Sequence, residues 1–162
     1  FIKILLRVNI LLPFHYYFRF PETVMAIKFI NQTPLKLLNK RALKEKLGSI
    51  FFYENKSLKS LTYIICDDTF LFDLNKLYLN HDSLTDVLTF DLSERQNLLV
   101  AEIYISIERI KENSSEYNVL FYNELYRVMI HGVLHLCGFK DKTSMQKQTM
   151  RKKEDWYLKL LF

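Results

Sequence analysis

Between residues 119 and 136 the chain is apolar on almost every side, which predicts a helix buried at the centre of a domain. Short runs rich in β-branched and aromatic residues predict strands at 26–31, 60–67, 85–92 and 98–106. Only the polar connection 93–97 separates the last two, and so short a link favours an antiparallel hairpin. Thr33 followed by Pro34 reads as an N-cap and first helical residue, with that helix ending at Gly48. Asp68 is expected to cap a helix reaching Tyr78, and Ser106 another over 107–113. A last amphipathic helix covers 144–161, with Met150, Trp156, Tyr157, Leu160 and Leu161 as its anchors. About four strands and five helices without repeat or linker predict one α+β domain, a small mixed β-sheet packed with helices.

Composition narrows this picture a little. A chain of 162 residues has room for one well-cored domain, and 49% apolar with 25% charged residues excludes a disordered chain. The two cysteines, Cys66 and Cys137, stand in apolar surroundings and offer no disulfide framework. They read as reduced, buried thiols, which fits a cytoplasmic location. Residues 1–24 stand apart. Their apolar run is broken by Arg7 and Pro13, short of the roughly 20 residues of a membrane span. They also lack a small-residue cleavage site. Met25 is therefore read as the natural start, with 1–24 an upstream segment, 25–162 the single domain, and no membrane partner. The formal net charge is +5, and +3 without that segment, which carries three basic residues and one acid. Such a charge favours approach to a polyanion without requiring one.

The chemistry is concentrated in HGVLHLCGFKD, from His131 to Asp141. His131 and His135 are four residues apart, so a helix presents both imidazoles on one face. Gly138 can end that helix through a left-handed turn and swing Asp141 back as a third ligand. Two polar rings on an apolar helix each need a partner, and a shared metal ion satisfies both. Three protein ligands with an open fourth position describe a catalytic rather than a structural zinc site. Cys137, two residues past His135, is expected to point away from it. The spacing is similar to the metzincin pattern HExxHxxGxxH, a zincin-like metal-site helix, with Asp in the last place. A zinc peptidase uses the Glu after its first His as general base, and here that position is Gly132.

At these residues the chain resembles the YbeY family, whose signature HGxLHLxGYDH is reproduced almost throughout by His131–Phe139. The segment Thr85-Asp86-Val87-Leu88-Thr89-Phe90 resembles the family's TDVLSF, and Glu102-Ile103-Tyr104-Ile105-Ser106 its GDIxIS strand. The resemblance runs from about Met25 to the C-terminus. It implies a metal-dependent endoribonuclease, selective for single strands, that acts in rRNA maturation (the 3′ end of 16S rRNA) and ribosome quality control. It implies as partners single-stranded RNA, rRNA precursors, and the ribosome or its small subunit. The implied cofactor is one divalent ion, zinc before others, held by His131, His135 and Asp141.

Two departures matter. The family's third ligand is usually His, and Asp141 makes the site more permissive toward manganese. The family also places an Arg where this chain has Leu79, and a proline where it has Leu84. Arg127, one turn before His131, is the cation expected to contact RNA phosphates instead, with an ion pair to Glu124 as the competing reading. Glu102 is the side chain expected as general base, against a strand-edge surface role. Basic residues between Lys36 and Lys46, together with Lys147, Arg151, Lys152 and Lys153, would attract phosphates irrespective of sequence. The competing readings are a zinc-dependent hydrolase of another substrate and a non-catalytic ribosome assembly factor.

Overall fold

The computed structural model describes residues 26–94 and 98–162. The expectation for residues 1–24 falls outside them. Four strands form one mixed sheet in the order β1-β2-β4-β3: β1 (Ala26–Asn31), β2 (Leu58–Cys66), β3 (Val87–Asp91) and β4 (Leu99–Ser106). β1, β2 and β4 run parallel, while β3 pairs antiparallel with β4, as the short connection predicted. The helices are α1 (Lys40–Tyr53), α2 (Asp68–Leu79), α3 (Ile107–Glu116), α4 (Phe121–Leu136) and α5 (Ser144–Leu161). The expected α+β architecture of four strands and five helices is what the chain adopts.

Strand alternation divides the sheet into two unequal faces. Leu61, Tyr63 and Ile65 of β2 and Ala101, Ile103 and Ile105 of β4 point into the main core. There they meet Leu125, Met129, Ile130, Val133 and Leu134 of α4. The Tyr63 hydroxyl donates to the Met129 carbonyl at 3.1 Å, so this buried phenol is satisfied and ties β2 to the middle of α4. The opposite face carries a smaller cluster, in which Leu71 and Leu74 of α2 cover Cys66, Leu88, Phe90 and Tyr104. α4 is the hub, packed against β3, β4, α1, α3 and α5.

Local chemistry moved several boundaries. α1 begins at Lys40 rather than after Thr33, because the Asn39 side chain caps it by accepting from Ala42 N at 3.2 Å. It also continues past Gly48, since Ile50 and Phe51 are fully buried and hold the last turn on the core. Asp67, not Asp68, caps α2, accepting from Phe70 N at 2.8 Å. Asp68 is drawn instead to Arg109 and to the Ser106 hydroxyl, joining α2 to α3. Ser106 caps α3 as expected, and α5 opens on a capping box between Thr143 and Gln146. Met150, Tyr157 and Leu161 anchor α5, whereas Trp156 and Leu160 lie on its exposed side and are not core residues.

α4 comes close to the sheet at Gly132. A Cβ there would stand 2.9 Å from Ile103 Cδ1, 3.0 Å from Ile103 Cγ2 and 3.2 Å from Thr89 Oγ1. Ile103 is wholly buried, so its methyl groups can give way only against packed neighbours. Gly132→Ala is therefore expected to cost about 1–3 kcal/mol, read as a lower midpoint in denaturant unfolding. Both cysteines are buried, and burial pushes each thiol up to about 12. At mildly alkaline pH a thiol reagent should label neither Cys66 nor Cys137 in the native protein, and both in concentrated guanidinium.

Candidate metal centre

α4 carries both histidines toward one point. His131 Nε2 and His135 Nε2 are 2.9 Å apart, with the rings nearly perpendicular at 86°. Asp141 Oδ2 completes the triangle at 3.8 Å from the first and 3.7 Å from the second. Tetrahedral ligands at the usual zinc–nitrogen length would stand about 3.3 Å from one another. The turn that returns Asp141 begins as expected at Gly138, whose φ of 100° suits a residue without Cβ. Gly138 N donates to the His135 carbonyl at 2.9 Å and Phe139 N to that of Leu134 at 3.0 Å, the paired bonds of a Schellman end.

The outer nitrogens of the two rings are both committed. His131 Nδ1 donates to Glu154 Oε1 at 2.8 Å, and His135 Nδ1 to the Phe139 carbonyl at 3.0 Å. Each neutral ring therefore keeps its proton on Nδ1 and turns an Nε2 lone pair toward the other. Two facing lone pairs and a carboxylate repel unless a cation or proton stands among them, so the donor set fits a divalent ion. Burial alone would lower the His131 pKa, but the hydrogen bond and charge of Glu154, with Asp86 and Asp141, raise it above the ordinary imidazole value. His135 is lowered, by burial and then by the proximity of His131. Side-chain exposure rises from 21% at His131 to 30% at His135 and 42% at Asp141, so the centre opens to solvent on its carboxylate side.

Three acidic residues shape the field here. Glu154 of α5 is buried at 5% exposure and meets Arg127 and Arg151 through Oε2, at 3.3 and 3.4 Å. Asp86, just before β3, accepts from Asn113 Nδ2 at 3.2 Å. Burial raises its carboxyl above the usual range, with the charge of His131 acting the other way. Among the described residues, neither Asp86 nor Asp141 has a Lys or Arg within ion-pair distance. The centre thus attracts a cation, and an RNA phosphate could approach it closely only with that cation in place.

Other expected residues lie elsewhere. Glu102 is brought to the wrong side of the sheet. It alternates with Ile103, the residue that touches Gly132, and its Oε2 accepts from the Tyr104 hydroxyl at 2.6 Å. A general-base role for Glu102 at this centre is therefore withdrawn, the sheet standing between. Arg127 is enclosed by acids: Nη1 lies 2.6 Å from Asp155 and 3.3 Å from Glu154, and Nε 3.7 Å from Glu124. Its expected role as an RNA contact gives way to the competing ion-pair reading. Cys137 is buried, with Glu54, Lys56 and Lys153 as its charged neighbours, and is not among the converging groups. Of the basic residues, Lys147 and Lys152 are exposed, while Lys153 pairs with Glu54 at 2.8 Å. Glu154 and Asp86 were missed. The only signal for Glu154 was an acid on the apolar side of a helix, beside Met150 and Tyr157.

The chain is similar to known proteins along most of its length. The profile of a family described as Endoribonuclease YbeY matches residues 22–161. A protein named Endoribonuclease YbeY from Amoebophilus asiaticus is 45% identical over 130 residues, which cover 80% of this chain and 88% of that one. Its namesake from Flavobacterium psychrophilum is 52% identical over 114 residues, 70% of this chain and 81% of the relative. A solution structure from Thermotoga maritima superposes with a TM-score of 0.58 at 32% identity, covering 83% of this chain and 88% of the other. With a match along nearly the whole described chain and the histidine-bearing helix at its core, this protein belongs to the YbeY endoribonuclease family.

Proposed function

We propose that this chain is a metal-dependent endoribonuclease that cuts single-stranded RNA, with rRNA precursors as its substrates. The observation that carries this reading is the convergence of His131 Nε2, His135 Nε2 and Asp141 Oδ2 at the open end of α4. Family membership supports RNA as the substrate class. In this reading those three residues hold one divalent ion, zinc by preference, whose contribution when bound is Lewis acidity toward the scissile phosphate. The chain's own residues do the rest. Glu154 and the Phe139 carbonyl hold the Nδ1 protons of the two imidazoles and so keep both Nε2 atoms facing inward. Asp141 sits on the solvent side, where a single strand can reach. The exposed cations Lys147 and Lys152 supply sequence-independent attraction for the backbone. No helix of the described residues is long and apolar enough to cross a membrane. The peptidase reading lacks its general base, since Gly132 has no side chain and packs against Ile103 of the sheet.

The test is cleavage of a labelled single-stranded RNA beside a duplex of the same sequence. The wild type should cut the single strand, lose activity to a chelator and regain it with zinc or manganese. His131→Ala combined with His135→Ala should fall to background, and wild-type cleavage by that double variant would sink the proposal. Asp141→Ala should weaken zinc binding by more than the roughly 10–100-fold that loss of an outer partner costs, while Asp141→His retains it. A competition assay against a chromophoric chelator measures both.

A further inference from the structure

Arg127 lies on α4 one turn before His131, yet its guanidinium is taken up by acids of α4 and α5. Its side chain is 17% exposed and has carboxylates of three residues around it: Glu124 on its own helix, and Glu154 and Asp155 on α5. One of the three, Glu154, is the residue whose other oxygen holds His131 Nδ1 at 2.8 Å. The groups therefore form a directed chain, from the arginine to the Glu154 carboxylate, from that to the imidazole, and from the imidazole to the converging Nε2 atoms. We infer that Arg127 is a positioning residue for the metal centre, acting through Glu154 and not through contact with RNA. This rests on the proposed metal reading.

The physical need is plain. Glu154 is almost wholly buried, and an ionised carboxylate there requires a charged partner. Two arginines reach its Oε2, but they are not equivalent. Arg151 is on the same helix at 55% side-chain exposure, where water screens its contacts to Glu154 at 3.4 Å and to Asp155 at 3.9 Å. Arg127 comes from α4, is itself desolvated, and lies 2.6 Å from Asp155, so it alone of the two ties Glu154 across the helix contact. A carboxylate held in one direction fixes the imidazole proton on Nδ1 and leaves Nε2 as the donor atom. Were Arg127 removed, Glu154 would lose the α4 partner that fixes its direction, and a carboxylate free to turn holds the imidazole proton in place less firmly. Any phosphate approaching Arg127 would also have to displace the carboxylates already bound.

The experiment measures zinc affinity of the full chain by chelator competition for wild type, Arg127→Gln, Arg127→Lys, Arg151→Gln, Glu154→Gln, and Arg127→Gln with Glu154→Gln. Glu154→Gln should weaken zinc binding about 10–100-fold, and Arg127→Gln should fall in the same range. The double variant should bind no worse than Glu154→Gln alone, since both changes interrupt one path. Arg127→Lys, which keeps the charge, should recover most of the affinity and guards against loss through misfolding. Arg151→Gln should change it by no more than about threefold, as suits an exposed partner. Long-range nitrogen–proton NMR of the metal-free protein at alkaline pH gives a second readout. His131 should be the Nδ1–H tautomer in wild type and a mixture in Arg127→Gln. Wild-type zinc affinity and an unchanged tautomer in Arg127→Gln, or additive losses in the double variant, would overturn this inference alone. Failure of the wild type to bind zinc saturably would overturn the metal reading and this inference together.

Discussion

The close seating of α4 on the sheet at Gly132 is the constraint on which the rest depends. A residue without Cβ lets the helix come down until its backbone meets Ile103 and Thr89. The hydrogen bond from Tyr63 to Met129 then fixes the helix along its length as well as in depth. A helix held this way has no freedom to rotate, so the adjacent His131 and the following His135 project at a set angle from one flank. Two imidazoles can meet at Nε2 only if that angle is held within a narrow range. The packing of an apolar core thus specifies the geometry of a polar centre.

Buried charge is managed by the same two helices. The contact between α4 and α5 holds two carboxylates almost out of water, Glu124 and Glu154, with Arg127 between them. Such a cluster adds little net stability over a hydrophobic contact of equal volume, because desolvation offsets most of the attraction. What it supplies is direction. An aliphatic residue at position 154 would pack as well and would leave His131 free to choose its tautomer. The acid is better explained by what it holds than by what it stabilises.

Much of this was legible in the chain. The three converging groups and their turn lie within one segment, 131–141, where helical periodicity and a single glycine are enough to bring them together. The strands were recovered because each is bounded by polar residues and rich in branched side chains. Less legible was anything that depends on contacts between distant segments. Glu102 looked available because its strand carries a family motif, and only the sheet's alternation shows that it turns away from α4. Glu154 stands 23 residues from His131, and its meaning appears only when α5 lies across α4. Arg127 was expected one turn before His131, but its partners on α5 could not be counted from the sequence. The start of α1 was misplaced because Pro34 signals a helix as strongly as Asn39 does, and which cap forms depends on where Leu43 and Leu47 reach the core.

The hydrogen bond from His131 to Glu154 has a thermodynamic consequence. The converging groups belong to a local segment, but the group that orients the first of them arrives with the C-terminal helix. Loading of the centre and docking of α5 are then linked equilibria, and linkage is reciprocal. Whatever factor the docked helix adds to the affinity for a cation, a bound cation adds to the stability of the docked helix. The last helix of the chain is in this sense part of the binding equilibrium, although it contributes no ligand to it.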